Sequence, residues 1–215
     1  MKPSIRIWIT AILVFASLYL FGLITHEVLS EKEETADKLV AQFVHHHFLS
    51  DGATQIMKCV TYFASKQFLI IAFLVLALWC IIYKKDKRLA VETLIIGISG
   101  HYMNALLKET FKRVRPADPL MDPLRNFSYP SGHASSGIIF YGLLIYLIWQ
   151  LNINRAVKYI LSVLLLAFAL LIGFSRIYLG MHYASDVAAG FCVGFAWLVI
   201  CLWIASLLRK KMHRN

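Results

Sequence analysis

Apolar side chains run along this chain in six long blocks, roughly residues 5–25, 60–83, 89–108, 132–151, 156–174 and 186–208, separated by shorter polar stretches. A hydrocarbon core about 30 Å thick is crossed by ~20 apolar residues in a helix. Within lipid a helix also satisfies its own backbone hydrogen bonds. The pattern therefore predicts an all-α, polytopic membrane protein with six transmembrane helices, whose two termini lie on the same side. Only the linkers at 26–59 and 109–131 are long, so 1–215 reads as a single membrane-embedded domain. The first apolar block is long for a secretory signal and lacks a small-x-small cleavage site before His26 and Glu27, so it is expected to be a retained span.

The two long linkers have characters of their own. In 31–50, Leu39, Val40, Phe43, Val44 and Phe48 recur at helical spacing, which predicts an amphipathic helix lying on the outer membrane surface within the 26–59 loop. His45, His46 and His47 within it are consecutive and point to different helix faces, a poor geometry for one metal ion. The 109–131 linker holds Pro116, Pro119, Pro123 and Pro130, four of the five prolines, and must be a shaped, non-helical connection. In the last apolar block Gly190 and Gly194 make a small-xxx-small step, which predicts close helix packing.

Composition sharpens this reading. The chain is 59% hydrophobic and 16% charged, with a mean hydropathy of +0.65, too apolar for an ordinary soluble domain. The net charge of +10 does not make a nucleic-acid binder, because the basic residues sit between apolar blocks and not on the face of a soluble module. Lys2, Arg6, Lys84, Lys85, Lys87, Arg88, Arg155, Lys158 and the Arg209–Arg214 cluster all fall on one face, which the positive-inside rule makes cytoplasmic. Cys80, Cys192 and Cys201 lie inside apolar blocks as small hydrophobes, so no disulfide framework is expected.

The remaining cations group with other polar residues at the opposite ends of the last four blocks. Lys108 and Arg115 follow the third, Pro130-Ser131-Gly132-His133 opens the fourth, Ser175-Arg176 closes the fifth, and His182 and Asp186 open the sixth. The topology brings these clusters to one level on the non-cytoplasmic face. Charge near membrane depth is costly and faces a polar cavity, so three cations with two histidines imply an anionic ligand, for which phosphate is the natural choice. Arginine meets phosphate oxygens with paired hydrogen bonds and lysine supplies a compact charge. Ser131 and Gly132 at a helix start offer backbone N–H groups and a close approach. His182 and Asp186, four residues apart, are spaced for a carboxylate to hold one ring nitrogen while the other attacks phosphorus. His133 is suited to protonate the leaving oxygen and then activate water. Singly, each residue has an ordinary explanation, as a snorkelling cation, a helix cap or an interfacial histidine; the joint pattern points to chemistry.

The spacing resembles the three-part signature of the type-2 phosphatidic acid phosphatase superfamily: Lys108 with six residues before Arg115-Pro116, the PSGH run at 130–133, and Ser175-Arg176 with five residues before His182 and three more before Asp186. Within it the chain is similar to the bacterial membrane phosphatidylglycerophosphate phosphatases of the B type and undecaprenyl diphosphate phosphatases. The resemblance implies phosphate binding by Lys108, Arg115, Ser131, Gly132 and Arg176, acid and base work by His133, a phosphohistidine on His182 oriented by Asp186, and no metal or other cofactor. It implies a lipid phosphate or diphosphate substrate reaching the site from the bilayer of a bacterial inner membrane. Soluble vanadium haloperoxidases share the site, but the hydropathy argues against them. Ala117-Asp118 stands where many relatives carry a second Arg-Pro, which puts added recognition of a diphosphate in doubt. A lipid phosphotransferase using the same phosphohistidine, and a non-catalytic lipid-binding or transport protein, are the alternative functions.

Overall fold

A computed structural model describes residues 3–30 and 34–212, and every regular element among them is a helix. In chain order these are α1 (Pro3–Leu29), α2 (Glu34–Phe48), α3 (Asp51–Tyr62), α4 (Lys66–Ile82), α5 (Lys87–Phe111), α6 (Gly132–Ile148), α7 (Arg155–Tyr178) and α8 (Ala184–Met212). Polar residues punctuate them. Ser50, Ser65, Asp86, Ser131 and Asn154 cap the starts of α3, α4, α5, α6 and α7, each side chain accepting from a backbone N–H in the first turn. Lys112 ends α5 in the left-handed region, at φ 51°, with its N–H on the Lys108 carbonyl.

Three helices are long and apolar enough to cross a membrane, over Ile7–Leu29, Arg155–Tyr178 and Ala184–Lys210; α3 and α4 meet that standard together but bend by 46° between them. The expected span at 60–83 is thus a straight helix only from Lys66, because the Ser65 side chain takes the Phe68 N–H and starts a new helix there. Among the described residues of 26–59, α1 runs on to Leu29, and α2 and the start of α3 follow it. The 17-residue α6 is apolar but shorter, and α5 carries Ser99, His101 and Asn104 through its middle. Large apolar side chains such as Trp8, Phe15, Leu74, Ile98 and Val163 stand exposed on the helix surfaces. An apolar exterior of this extent is what a lipid-facing protein presents, and the chain is an integral membrane protein.

α6 lies at the centre, packed against α5, α7 and α8, while α1 lies on α8, α4 on α5 and α3 on α7. Gly190 and Gly194 of α8 face the first turns of α6 so closely that a Cβ at either would stand 2.7 Å from the Ser131 carbonyl oxygen or 2.6 Å from that of Ser135. The predicted small-residue contact is therefore real, and it sets α8 directly against the start of α6. At the far end of α5, Glu92 accepts from Arg88, its neighbour one turn away, and from Arg209 of α8, tying α5 to α8. Under α2, Val44 joins Tyr178, Leu179 and Met181 in a small apolar cluster.

Candidate active site

The α7–α8 connection turns sharply after Arg176. The N–H groups of Met181 and His182 both reach the Arg176 carbonyl, at 3.0 and 3.3 Å, and Gly180 takes a left-handed φ of 64°. His182 therefore lies two residues before α8 begins and not on it as the spacing suggested, while Asp186 sits in the first turn. The curled loop still closes the pair: His182 Nδ1 is 3.3 Å from Asp186 Oδ2, and both side chains are buried.

Asp186 is fully buried and well supplied with donors. Its Oδ1 accepts from Arg113 Nη1 at 2.7 Å, and its Oδ2 accepts from the Tyr183 N–H at 3.0 Å and from the Ser128 hydroxyl. The Ser128 oxygen is also 3.2 Å from His182 Nδ1. Since Ser128 gives its proton to Asp186, its oxygen is free to accept, and the carboxylate accepts only; both partners of Nδ1 therefore call for a proton there. On the other side of the ring, Arg115 Nη1 lies 3.1 Å from Nε2, and a guanidinium can only donate. The two contacts assign one tautomer, with the proton on Nδ1 and the lone pair on Nε2. Burial, opposed by the Asp186 hydrogen bond and charge and reinforced by Lys108 and Arg115, pushes the His182 pKa down to about 3. The ring is neutral at ordinary pH, as a nitrogen nucleophile requires.

The cations predicted for an anion do converge here. Lys108, in the last turn of α5, donates to the carbonyls of Phe127 and Ser128 at 2.6 and 2.8 Å. Arg115 is braced on Asn126 and on the carbonyls of Phe127 and Met181. Arg176 lies in the last turn of α7 and not in a loop, donates through Nη1 to Thr61 at 2.7 Å, and its buried Nε has no hydrogen-bond partner among the described residues. A buried guanidinium N–H without an acceptor is costly, so this position calls for one. His133, in the first turn of α6, interacts electrostatically with Arg176, His182, Arg115 and Lys108.

Ser131 caps α6 with its side-chain oxygen toward the Ala134 N–H, and its own N–H is held by the Asp186 carbonyl at 2.9 Å. Beside it, a Cβ on Gly132 would meet Asn104 Oδ1 at 3.2 Å, so glycine keeps this corner open. The 112–131 connection is fixed from both ends, by Ser128 N–H to the Arg113 carbonyl at 2.8 Å and Leu120 N–H to the Leu179 carbonyl at 2.9 Å. All eight residues singled out in the sequence surround one site. The structure adds Arg113, Ser128, Asn126, Thr61 and Asp37, which no spacing pattern marked. His45 and His47 are engaged with the carbonyls of Tyr178 and Phe43.

Helix ends and the connections between them bring two histidines, a buried carboxylate and three cations to one site, and together with the apolar exterior define a phosphate-handling membrane protein. The PAP2 superfamily profile matches residues 88–210, and the chain belongs to that superfamily. It is 27% identical to phosphatidylglycerophosphatase B of Bacillus subtilis over 83% of this chain and 88% of that one. It is 28% identical to undecaprenyl-diphosphatase BcrC of the same organism, over 80% of this chain and 83% of that one. The crystal structure of a transmembrane PAP2-type phosphatidylglycerolphosphate phosphatase from Bacillus subtilis has the same fold, with a TM-score of 0.82, 22% identity and coverage of 92% of this chain and 96% of that one. Aquifex aeolicus LpxE matches with a TM-score of 0.58 and 24% identity over 76% of this chain and 92% of that one.

Proposed function

We propose that this protein is a membrane-embedded phosphatase of lipid phosphates or diphosphates that works through a phosphohistidine at His182. The observation that carries the reading is the fixed, neutral His182 ring, proton on Nδ1 and lone pair on Nε2, with Arg115 against Nε2 and Lys108 close by. In the first step Nε2 attacks phosphorus, the bond from phosphorus to the leaving oxygen breaks, and His133, able to carry a proton once the bound phosphate offsets the cations beside it, gives that proton to the leaving oxygen. Lys108, Arg115, Arg176, Ser131 and the backbone N–H groups at the start of α6 hold the phosphate oxygens, Arg115 exchanging its contact with Nε2 for one with phosphate. Asp186 stabilises the cationic ring that forms. In the second step His133 takes a proton from water, the oxygen attacks phosphorus, the N–P bond breaks, and His182 returns to its neutral form with release of inorganic phosphate. The three cations neutralise the phosphate charge, so activity is expected to persist in EDTA and to be blocked by vanadate.

The substrate class rests on the apolar exterior and on the relatives, which are named for phosphatidylglycerophosphate and undecaprenyl diphosphate. An open apolar groove between α5 and α8, lined by Ile95, Ile98, Tyr102, Leu106 and Trp197, runs toward the Lys108 end of α5 and offers a path for the lipid tail. The single membrane-embedded domain is read with six crossings, α3 with α4 as one bent span and α5 and α6 as the two that hydropathy alone does not establish. Both termini are then cytoplasmic, the site opens on the non-cytoplasmic face of a bacterial inner membrane, and α2 lies on the outer surface. A panel of phosphatidylglycerophosphate, phosphatidic acid, undecaprenyl diphosphate and a lipid A phosphate in detergent, following inorganic phosphate and phosphorylated acceptor separately, tests it. Phosphate release from at least one lipid is expected; phosphate passed only to an acceptor hydroxyl would make the chain a phosphotransferase, and no turnover would overturn the reading.

A further inference from the structure

Asp37 lies on α2, outside every motif that marks the site, yet it is buried to 4% exposure and reaches the catalytic loop. Its Oδ2 accepts from Arg113 Nη2 at 2.8 Å and from the Ser185 hydroxyl at 2.6 Å, and its Oδ1 accepts from the Ser185 N–H at 3.0 Å. Arg113 in turn donates from Nη1 to Asp186 at 2.7 Å and to the Ser185 oxygen at 2.7 Å, and its guanidinium lies 4.2 Å from the centre of the Tyr183 ring. One guanidinium thus bridges two buried carboxylates, of which the second faces His182. The charges fall into two groups: Arg113 serves the carboxylates of Asp37 and Asp186, and Lys108, Arg115 and Arg176 remain for the anion. α2 also grips the other end of the same loop, where His45 Nε2 meets the Tyr178 carbonyl at 3.2 Å and Val44 packs on Leu179 and Met181.

We propose that Asp37 is a positioning residue for the phosphohistidine chemistry, holding Arg113 so that Asp186 keeps His182 in its Nδ1-protonated tautomer and in line for attack. α2 then acts as a clamp on the loop that carries the nucleophile, seated at Tyr178 on one side and at Ser185 on the other. Outer-sphere partners of this kind fix the ring orientation and tautomer of a working histidine. The inference rests on the reading of His182 as the nucleophile, and two readouts keep their failures apart. Asp37→Asn retains the shape and removes the charge. It is expected to lower kcat ~10-fold with KM within about twofold of wild type, since small misplacements of a reacting group act on this scale. Asp37→Glu is expected to recover part of the loss. In full-length protein with 15N-labelled histidine, His182 is expected to show a single Nδ1-protonated tautomer in wild type and a mixture in Asp37→Asn. An unchanged kcat with an unchanged tautomer overturns the proposal. So does a loss of activity that follows a loss of folded protein while the tautomer stays as in wild type. If the wild-type chain releases no phosphate from any lipid, the phosphatase reading falls, and the tautomer comparison still decides the positioning role.

Discussion

A carboxylate as deeply buried as Asp186 holds its place only through its donors, and the Ser128 hydroxyl is one of them, shared in position with His182 Nδ1. A hydrogen bond to a charged group is worth about 1.5–3 kcal/mol. Ser128→Ala is therefore expected to lower kcat by roughly 10- to 100-fold, at little change in KM, in steady-state assays. His182 adds a dependence on pH. Its folded pKa of about 3 lies below the unfolded value near ~6.5. Between those limits the unfolded chain binds the extra proton, so this group's contribution to stability is complete above ~6.5 and is lost as pH falls toward 3. Thermal unfolding in detergent across that range is expected to show a shallower acid decline in His182→Gln than in wild type. Lys108, Arg115, Ser131, Gly132, His133, Arg176, His182 and Asp186 were legible because their spacing forms a joint pattern. Arg113 was legible only as a member of the basic cluster of Lys108, Lys112, Arg113, Arg115 and Arg125, without a role of its own, and Asp37 sits in a mixed-charge stretch that any solvated helix face shares. Long-range ion pairs leave no periodicity.

At the scale of elements, hydropathy located the helices of the bundle but not the joint between α3 and α4. The apolar run over 60–83 continues through Phe63 and Ala64 and is broken only by the short polar run Ser65-Lys66-Gln67, where the Ser65 cap starts the new helix. The Gly190-Gly194 step was legible as packing, and the structure gives it a second duty, because Gly190 abuts the backbone of Ser131 at the corner of the site. An added methyl at either glycine must push α8 from α6. Overpacking of this kind costs about 1–3 kcal/mol. Gly190→Ala and Gly194→Ala are both expected to lower the midpoint of thermal unfolding in detergent, and Gly190→Ala is expected to cost more activity per unit of folded protein, since it displaces Ser131 directly.

For the whole molecule, the basic residues between apolar blocks give an orientation that impermeant thiol labelling checks. Cys59 is exposed on α3, so the probe is placed in a Cys59→Ser background. Lys158→Cys is expected to label only after the cytoplasmic face is opened, and a cysteine at Asp118 from the outside of intact cells. The reverse pattern would turn the site to the cytoplasm. All of the chemistry above converges on one bond, between phosphorus and Nε2 of His182. It is tested most directly by acid- and base-quenched labelling of the purified protein with a lipid carrying 32P in its terminal phosphate. The expected result is a label on the chain that survives base, is lost in acid, and is absent in His182→Asn, which also ceases to release phosphate. A label or turnover retained in His182→Asn would contradict the account.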